Sequence, residues 1–300
     1  MKLLVLGAGG QIGRELVARG RARGWRVDGY THATLDITEK NALDRAFASG
    51  HDAAVNASAY TAVDRAEANA EIALRVNGTA AGMVAETAAA AGTHLIHLST
   101  DYVFDGTGAE PYAEDAPPHP LNVYGRSKLD GERRVRAAHP AAIVLRTSWV
   151  FGHGQGNFAA TMLRLGRREK EIRVVDDQRG APTFAGDAAE CCLRLAELQC
   201  SGESGAEGVL HFQSRPIATW HGFAKEIFRA ARAAGAKLTF ERLLPIASRD
   251  YPGPARRPAN SVLDCTRLTA LLRRHEPGWD LPDWRPPLRR VVEKLLADPQ

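Results

Sequence analysis

Tyr124-Gly125-Arg126-Ser127-Lys128 sets a phenol and an ammonium four residues apart, which on a helix places them on one face, one turn apart. Upstream, Leu98-Ser99-Thr100-Asp101-Tyr102 ends an apolar run in hydroxyls. If that run is a parallel strand, the hydroxyls stand at its carboxyl end, where open α/β sheets bind their ligands. These side chains suit the reduction of a carbonyl, which needs hydride delivered to carbon and a proton delivered to the developing oxyanion. A free phenol titrates near ~10. A neighbouring ammonium favours the phenolate, so Lys128 is expected to bring Tyr124 down toward the working range. Thr100, or Ser99 beside it, can hydrogen-bond the same carbonyl oxygen and polarise it. Tyr-x-x-x-Lys also fits a plain surface pair, so the reading depends on its surroundings.

The hydride requires a nicotinamide, and the N-terminal residues supply a place for one. Lys2–Leu6 runs into Gly7-Ala8-Gly9-Gly10-Gln11-Ile12-Gly13, and helical periodicity begins at once. Gly7 allows the tight turn, Gly10 lets backbone approach a pyrophosphate, and Gly13 lets the helix pack close to the strand. The pyrophosphate then lies over a helix N-terminus, where unpaired N–H groups and the dipole favour an anion. Many NAD enzymes end their second strand in an acid that binds the ribose 2′-hydroxyl. Here Asp28 falls mid-strand in Arg26–Tyr30, and Thr31-His32 follows with no carboxylate at the tip. The expectation is NADPH or NADH with NADPH favoured; His32 is either a partner for the 2′-phosphate or an ordinary loop histidine. Asp36 and Ile37 are the better candidates for the adenine side.

Positioning such groups takes a particular scaffold. Short β-rich runs at Lys2–Leu6, Arg26–Tyr30, Ala53–Ala57, His94–Leu98 and Ala142–Thr147 alternate with helical stretches at Ile12–Arg23, Ala66–Ala91 and Ser127–Ala138. Continuous apolar strands separated by helices mean a parallel sheet covered on both faces, and right-handed crossovers make it doubly wound. Beyond Trp149 proline and glycine become frequent, and helices at Phe158–Arg168, Gly186–Leu198, Trp220–Ala234, Thr266–Arg273 and Leu288–Leu296 follow without a strand between each pair. The fold class expected is therefore α/β: a Rossmann-type sheet over residues 1–148, and a smaller, mostly helical substrate lobe over 149–300, interleaved with it through a strand near 208–214.

Bulk properties narrow the function. The chain of 300 residues carries a net charge of +4, 44% apolar residues and no apolar run near the ~20 residues a membrane span needs. The first apolar run stops at Gly7, too short for a signal peptide, so a cytoplasmic enzyme without a membrane is expected. Arginines are dispersed rather than gathered into a patch, which suits anionic small molecules and not nucleic acid. Cys191, Cys192, Cys200 and Cys265 have neither zinc spacing nor a plausible disulfide spacing, so they are expected as reduced thiols, three on one helix, with no metal site.

Several longer blocks resemble the extended short-chain dehydrogenase/reductase family, and within it the reductases of nucleotide-bound 4-keto sugars. They are Gly10–Gly13, Asn56–Glu67, Ser99–Gly106, Pro120–Gly125, Arg146–Phe151, Asp177–Thr183 and Arg257–Ser261, which together span nearly the whole chain. The resemblance implies NAD(P)H-dependent reduction of the 4-keto group of dTDP-4-dehydro-L-rhamnose to dTDP-L-rhamnose. It makes Tyr124 the proton donor, Lys128 the holder of the nicotinamide ribose, and Thr100 the residue that orients the ketone. Asp101 and Trp149 would border the sugar; Trp149 otherwise reads as a junction core residue. Gly10, Gln11 and Ile12 would meet the pyrophosphate, and Ala59, Tyr60 and Thr61 would pass beside the cofactor. Arg257 and Asn260 either face the nucleotide diphosphate or stitch the lobes together. Some relatives dimerise through a magnesium ion held by three glutamates. Glu15 and Glu293 match, but Gly186 stands at the middle place and Asp187 is shorter and off register, so no metal is expected and a homodimer stays open.

Two rival readings accompany this one. A nucleotide-sugar epimerase or dehydratase would use the same fold, but dehydratases of this group carry an Asp-Glu pair after the threonine, and here Tyr102 follows Asp101. A regulatory subunit of the methionine adenosyltransferase type is similar in motifs but works by binding. Retention of Thr100, Tyr124 and Lys128 favours the enzyme.

Overall fold

The computed structural model describes residues 1–154, 156–203 and 205–297, so the last three positions of the expected second lobe lie outside the described residues. The elements of the first half are β1 (Lys2–Leu6), α1 (Gln11–Ala22), β2 (Arg26–Tyr30), α2 (Lys40–Phe47), β3 (Ala53–Asn56), α3 (Val63–Ala68), α4 (Ala70–Leu74), a π-helical turn (Arg75–Thr79), α5 (Ala80–Ala90), β4 (His94–Thr100), α6 (Val123–Ala138) and β5 (Ile143–Thr147). Then come β6 (Val150–Phe151), α7 (Phe158–Gly166), β7 (Glu171–Val175), β8 (Arg179–Gly180), β9 (Thr183–Phe184), α8 (Ala185–Cys200), β10 (Gly208–His211), β11 (Ala218–Thr219), α9 (Trp220–Ala233), β12 (Arg242–Ile246), α10 (Thr266–Arg273) and α11 (Arg285–Ala297).

Six strands form one sheet in the order β10-β5-β4-β3-β1-β2, and every pairing is parallel. The strands are buried on both faces, which explains their unbroken apolar runs. One face packs Leu3, Val5, Ile96 and Leu145 against Leu16 of α1 and Cys192, Leu195 and Ala196 of α8. The other packs Leu4, Leu6, Leu95 and Val144 against α2, α5 and α6. The sheet is thus doubly wound, and strand order reverses between β1 and β3. The crevice at the carboxyl ends of those two strands is where this architecture binds ligands. The strand expected near 208–214 does return to the sheet, as β10 beside β5. A separate core gathers α7, α9 and α11 around Phe151, Phe223, Phe228 and Trp284. The second half also holds more strand than its sequence suggests, including β7 paired with β12. No helix of the described residues is long and apolar enough to cross a membrane.

Two helix assignments need correction. The Ala-rich stretch 66–91 is not one helix: it breaks at Asn69 and widens into the π turn Arg75–Thr79. Asn77, in that turn, spans to the loop after β3, accepting from Tyr60 N at 2.8 Å and donating to Tyr60 O at 3.0 Å. The tertiary bond outweighs the local preference for a straight helix. Helix α6 begins at Val123, four residues before the Ser127 expected, because Asn122 caps it, its side chain accepting from Gly125 N at 2.8 Å. Tyr124 therefore sits in the first helical turn.

Candidate active site

Two cavities lie along the switch-point crevice and share Gly9, Gly10, Ala57 and Ala59. The first, about 500 Å³, is bounded by Gln11, Ile12, Gly13, Thr61, Ser99, Thr100, Asp101, Tyr124, Lys128 and Trp149 among others. The second, about 460 Å³, is bounded by Gly7, His32, Asp36, Ile37, Tyr60 and Arg75 among others. All the positions singled out for cofactor, proton and sugar fall on one continuous groove. Gly7 adopts φ +81°, and a Cβ on Gly13 would stand 2.1 Å from Gly7 O, so loop and helix touch backbone to backbone. Gly10 caps α1 with no side-chain bond, which leaves the first-turn N–H groups open to an anion. Gly13→Ala is expected to wedge α1 from the loop, at a cost of about 1–3 kcal/mol, and to weaken cofactor binding at least tenfold. Thermal melts and fluorescence titration with NADPH would check both.

Thr100 ends β4, and its hydroxyl donates to Asp101 Oδ1 at 3.0 Å, accepts from Tyr102 N at 3.2 Å and lines the same cavity as the Tyr124 phenol. Tyr124 is flanked edge-on by Tyr102, with centroids 5.9 Å apart. Lys128 is 2% exposed. Its ammonium nitrogen is bonded to Leu98 O at 2.6 Å and lies 3.4 Å from His97 Nε2. The expected lowering of the phenol by its lysine is not what the structure holds. Burial pushes Tyr124 up to about 12, Thr100 opposes this, and Asp101 adds to it, whereas Lys128 faces the Leu98 carbonyl. Desolvation outweighs the distant cation. The result is a phenol that stays protonated, the form a proton donor needs. Burial likewise pulls Lys128 down to about 8 and lifts Asp101, whose Oδ2 has no partner, to about 7.

Sugar-side and adenine-side residues are placed less simply. Trp149 lines the first cavity in left-handed backbone, φ 46°, which costs a non-glycine residue energy. One face of its indole is stacked on Trp220 at 3.6 Å between centroids, so a sugar would meet the other face or the edge. Asp36 lines the second cavity, but its Oδ1 accepts from Thr38 N and Thr38 Oγ1, each at 2.9 Å. Thr38's backbone N–H lowers that carboxyl's pKa most. Asp28 is mid-strand as read and bonds His51 at 3.0 Å. Arg257 pairs with Asp64 at 2.8 Å, and Asn260 donates to the carbonyls of Gly108 and Glu110 at 2.9 and 3.0 Å, so both make bonds between the two halves of the chain. Glu15 pairs with Arg19 at 3.0 Å, and Glu190 of α8 holds Arg23. Among the described residues no group of three His, Cys, Asp or Glu is placed to hold a metal ion.

The sequence reading missed a buried polar layer beneath the site. On the face of β4 toward α6, Ser99 donates to Glu132 at 2.5 Å, and Glu132 takes Arg146 of β5 in a two-pronged bond at 2.9 and 2.7 Å. Arg146 lies 3.3 Å from His211 of β10. Burial beside Arg146 drives His211 down to about 3, so it is neutral. The available signal was His97 and Ser99, two residues apart and so on one face of His94-Leu-Ile-His97-Leu-Ser99, inside an apolar run. Arg75 was missed too; it reaches the second cavity from the π turn, which no strand-tip rule covers.

The model of the RmlD substrate binding domain matches residues 1–297. The chain belongs to this family, the dTDP-4-dehydrorhamnose reductases of the extended short-chain dehydrogenase/reductase group. It is 41% identical over 303 residues to the dTDP-4-dehydrorhamnose reductase of Burkholderia thailandensis, covering 99% of this chain and 100% of that one. A crystal structure of a dTDP-4-dehydrorhamnose reductase from Clostridium acetobutylicum superposes with a TM-score of 0.87 at 32% identity, covering 99% of this chain and 100% of that one. A second from Bacillus anthracis, in complex with NADP, has a TM-score of 0.86 at 30% identity and covers 97% and 98%. The chain is an NAD(P)-dependent oxidoreductase.

Proposed function

We propose that the chain reduces the 4-keto group of dTDP-4-dehydro-L-rhamnose to dTDP-L-rhamnose, with Tyr124 as proton donor. The observation that carries this is the meeting of Thr100, Tyr124 and Lys128 with the glycine loop in one cavity. The bare backbone of Gly7, Gly10 and Gly13 and the uncapped N-terminus of α1 fit a dinucleotide pyrophosphate. The bound nicotinamide supplies hydride. Thr100 turns its one hydroxyl proton from Asp101 Oδ1 to the ketone oxygen, Tyr124 gives its hydroxyl proton to that oxygen as charge develops there, and Lys128 contacts the nicotinamide ribose. Asp101 and Trp149 border the sugar; residues 1–148 form the dinucleotide-binding domain, which also carries the reacting groups, and residues from 149 onward the substrate-binding lobe. The test is a steady-state assay of a panel of nucleotide 4-keto sugars with NADPH and NADH. A folded, cofactor-binding protein that oxidises neither cofactor on adding dTDP-4-dehydro-L-rhamnose would refute the reading.

NADPH is the proposed preference. No carboxylate stands at the tip of β2, Asp36 is engaged by Thr38, and His32 and Arg75 both reach the adenine-side cavity. A charge-assisted bond to a phosphate contributes about 1.5–3 kcal/mol. Arg75→Ala is therefore expected to raise KM for NADPH about tenfold or more while moving that for NADH less than about twofold. Equal changes for the two cofactors would remove Arg75 from the 2′-phosphate.

A further inference from the structure

The layer beneath Tyr124 contains a histidine to which the chemistry above gives no task. His97 is 1% exposed, its ring set between Asn56 of β3 and Lys128 of α6. The β3/β4 register places Asn56 beside it, with Asn56 Nδ2 3.2 Å from His97 Nδ1. The amide's orientation is determined by Ser58 N, which donates to Asn56 Oδ1 at 3.1 Å. Asn56 thus turns its NH2 to the ring, and Nδ1 must accept. A neutral imidazole carries a single N–H, so that proton stands on Nε2, facing Lys128 Nζ at 3.4 Å. The hydrogen bonds then run one way, from Ser58 through Asn56 and His97 to Lys128 and on to Leu98 O. An ammonium has no lone pair to accept the third of these; only the amine does.

We propose that His97 is a positioning residue whose Nε2–H, fixed by Asn56, stabilises the amine form of Lys128 and so lets that lysine release a proton during turnover. The proposal rests on Tyr124 and Lys128 being the proton-handling pair. Lys128 enters turnover as the ammonium, bonded to Leu98 O; once Tyr124 has protonated the substrate oxygen, its phenolate is reprotonated from Lys128 Nζ through solvent in the cavity both line, and the amine left behind accepts from His97 Nε2–H. One N–H bond breaks, one O–H bond forms, no electrons change centre, and solvent returns the proton to the amine. The other groups facing Lys128 do not supply this. Glu132, one turn on, favours the ammonium but is neutralised by Arg146; Tyr124 lies one turn back, and Asp101 lines the same cavity. Burial, opposed by Glu132, brings Lys128 to about 8, and His97 is held neutral by burial first and by the charge of the Lys128 ammonium second.

The test compares His97→Leu with His97→Gln, whose amide keeps an N–H near the place of Nε2. Without the donor, Lys128 holds its proton to higher pH. The alkaline limb of kcat should then move up by about one pH unit in His97→Leu and stay within about 0.3 of the parent in His97→Gln. Equal limbs in both variants, with only the amplitude reduced, would reduce His97 to a structural residue. Imidazole 15N NMR of the unsubstituted protein with NADP bound gives a readout that needs no variant: an Nε2–H tautomer at His97 is expected, and an Nδ1–H tautomer overturns the proposal. Undiminished turnover by Lys128→Met would instead overturn the pair itself, leaving the tautomer result to stand separately.

Discussion

Tyr124→Phe should lower kcat by about 10²–10⁴-fold, the range a positioned proton donor contributes, while the dissociation constant for NADPH changes less than about twofold. The two readouts separate because different atoms serve them. In the proposed reading the pyrophosphate meets the glycine loop and the N-terminus of α1, whereas the phenol, beside Thr100 on the cavity wall, serves only the ketone end. Phenylalanine keeps the edge-on contact with Tyr102 and removes one oxygen, so the fold should be undisturbed. Stopped-flow hydride transfer and fluorescence titration on the same preparation would measure both. Loss of cofactor binding with retained melting temperature would make Tyr124 a wall of the cofactor site and not its acid.

Removing Glu132 should produce the largest loss of stability. Its carboxylate is 3% exposed and is shared by Ser99 and both prongs of Arg146, itself 3% exposed. Glu132→Ala leaves a guanidinium in the interior with no anion, facing the Phe104 ring at 5.1 Å and His211, a neutral ring that accepts weakly at 3.3 Å. Breaking one side of a buried pair costs about 3–5 kcal/mol, a large part of the stability of any domain. Denaturant titration should show that loss, and Glu132→Ala combined with Arg146→Met should recover much of it, since no charge is then stranded. A single substitution costing under about 1 kcal/mol would mean that water reaches the layer.

These two expectations differ in how far the sequence alone could support them. Tyr124, Lys128 and Thr100 stand in a local pattern: a four-residue spacing and a strand end are short-range facts, and helix and strand geometry convert them directly into a shared face and a shared edge. The glycines at 7, 10 and 13 are legible for the same reason, since a tight turn and a close approach are demands on single residues. Glu132, Arg146 and His97 carry no such pattern. Each looks like an ordinary polar residue until strand order brings β3, β4, β5 and β10 side by side and lays α6 across them.

The electrostatics were hidden for a related cause. The Tyr-x-x-x-Lys spacing implies a cation near the phenol, and it says nothing of burial or of the direction in which Nζ points. Tertiary packing sends that nitrogen to Leu98 O and partly buries the phenol, so desolvation wins and Tyr124 rises where spacing alone predicted a fall. Arg75 is the same lesson at the adenine side: its place depends on a π turn bent by Asn77 toward the loop after β3.

Residue order by itself determined the alternation of strand and helix, the glycine turn at residues 7–13, and the spacing that puts Thr100, Tyr124 and Lys128 on one cavity, because periodicity and spacing act over a few residues. Which of those groups are charged, what braces them from beneath, and which side chains from distant segments share the groove were decided only when the sheet closed. Desolvation and hydrogen-bond direction depend on neighbours far apart in the chain.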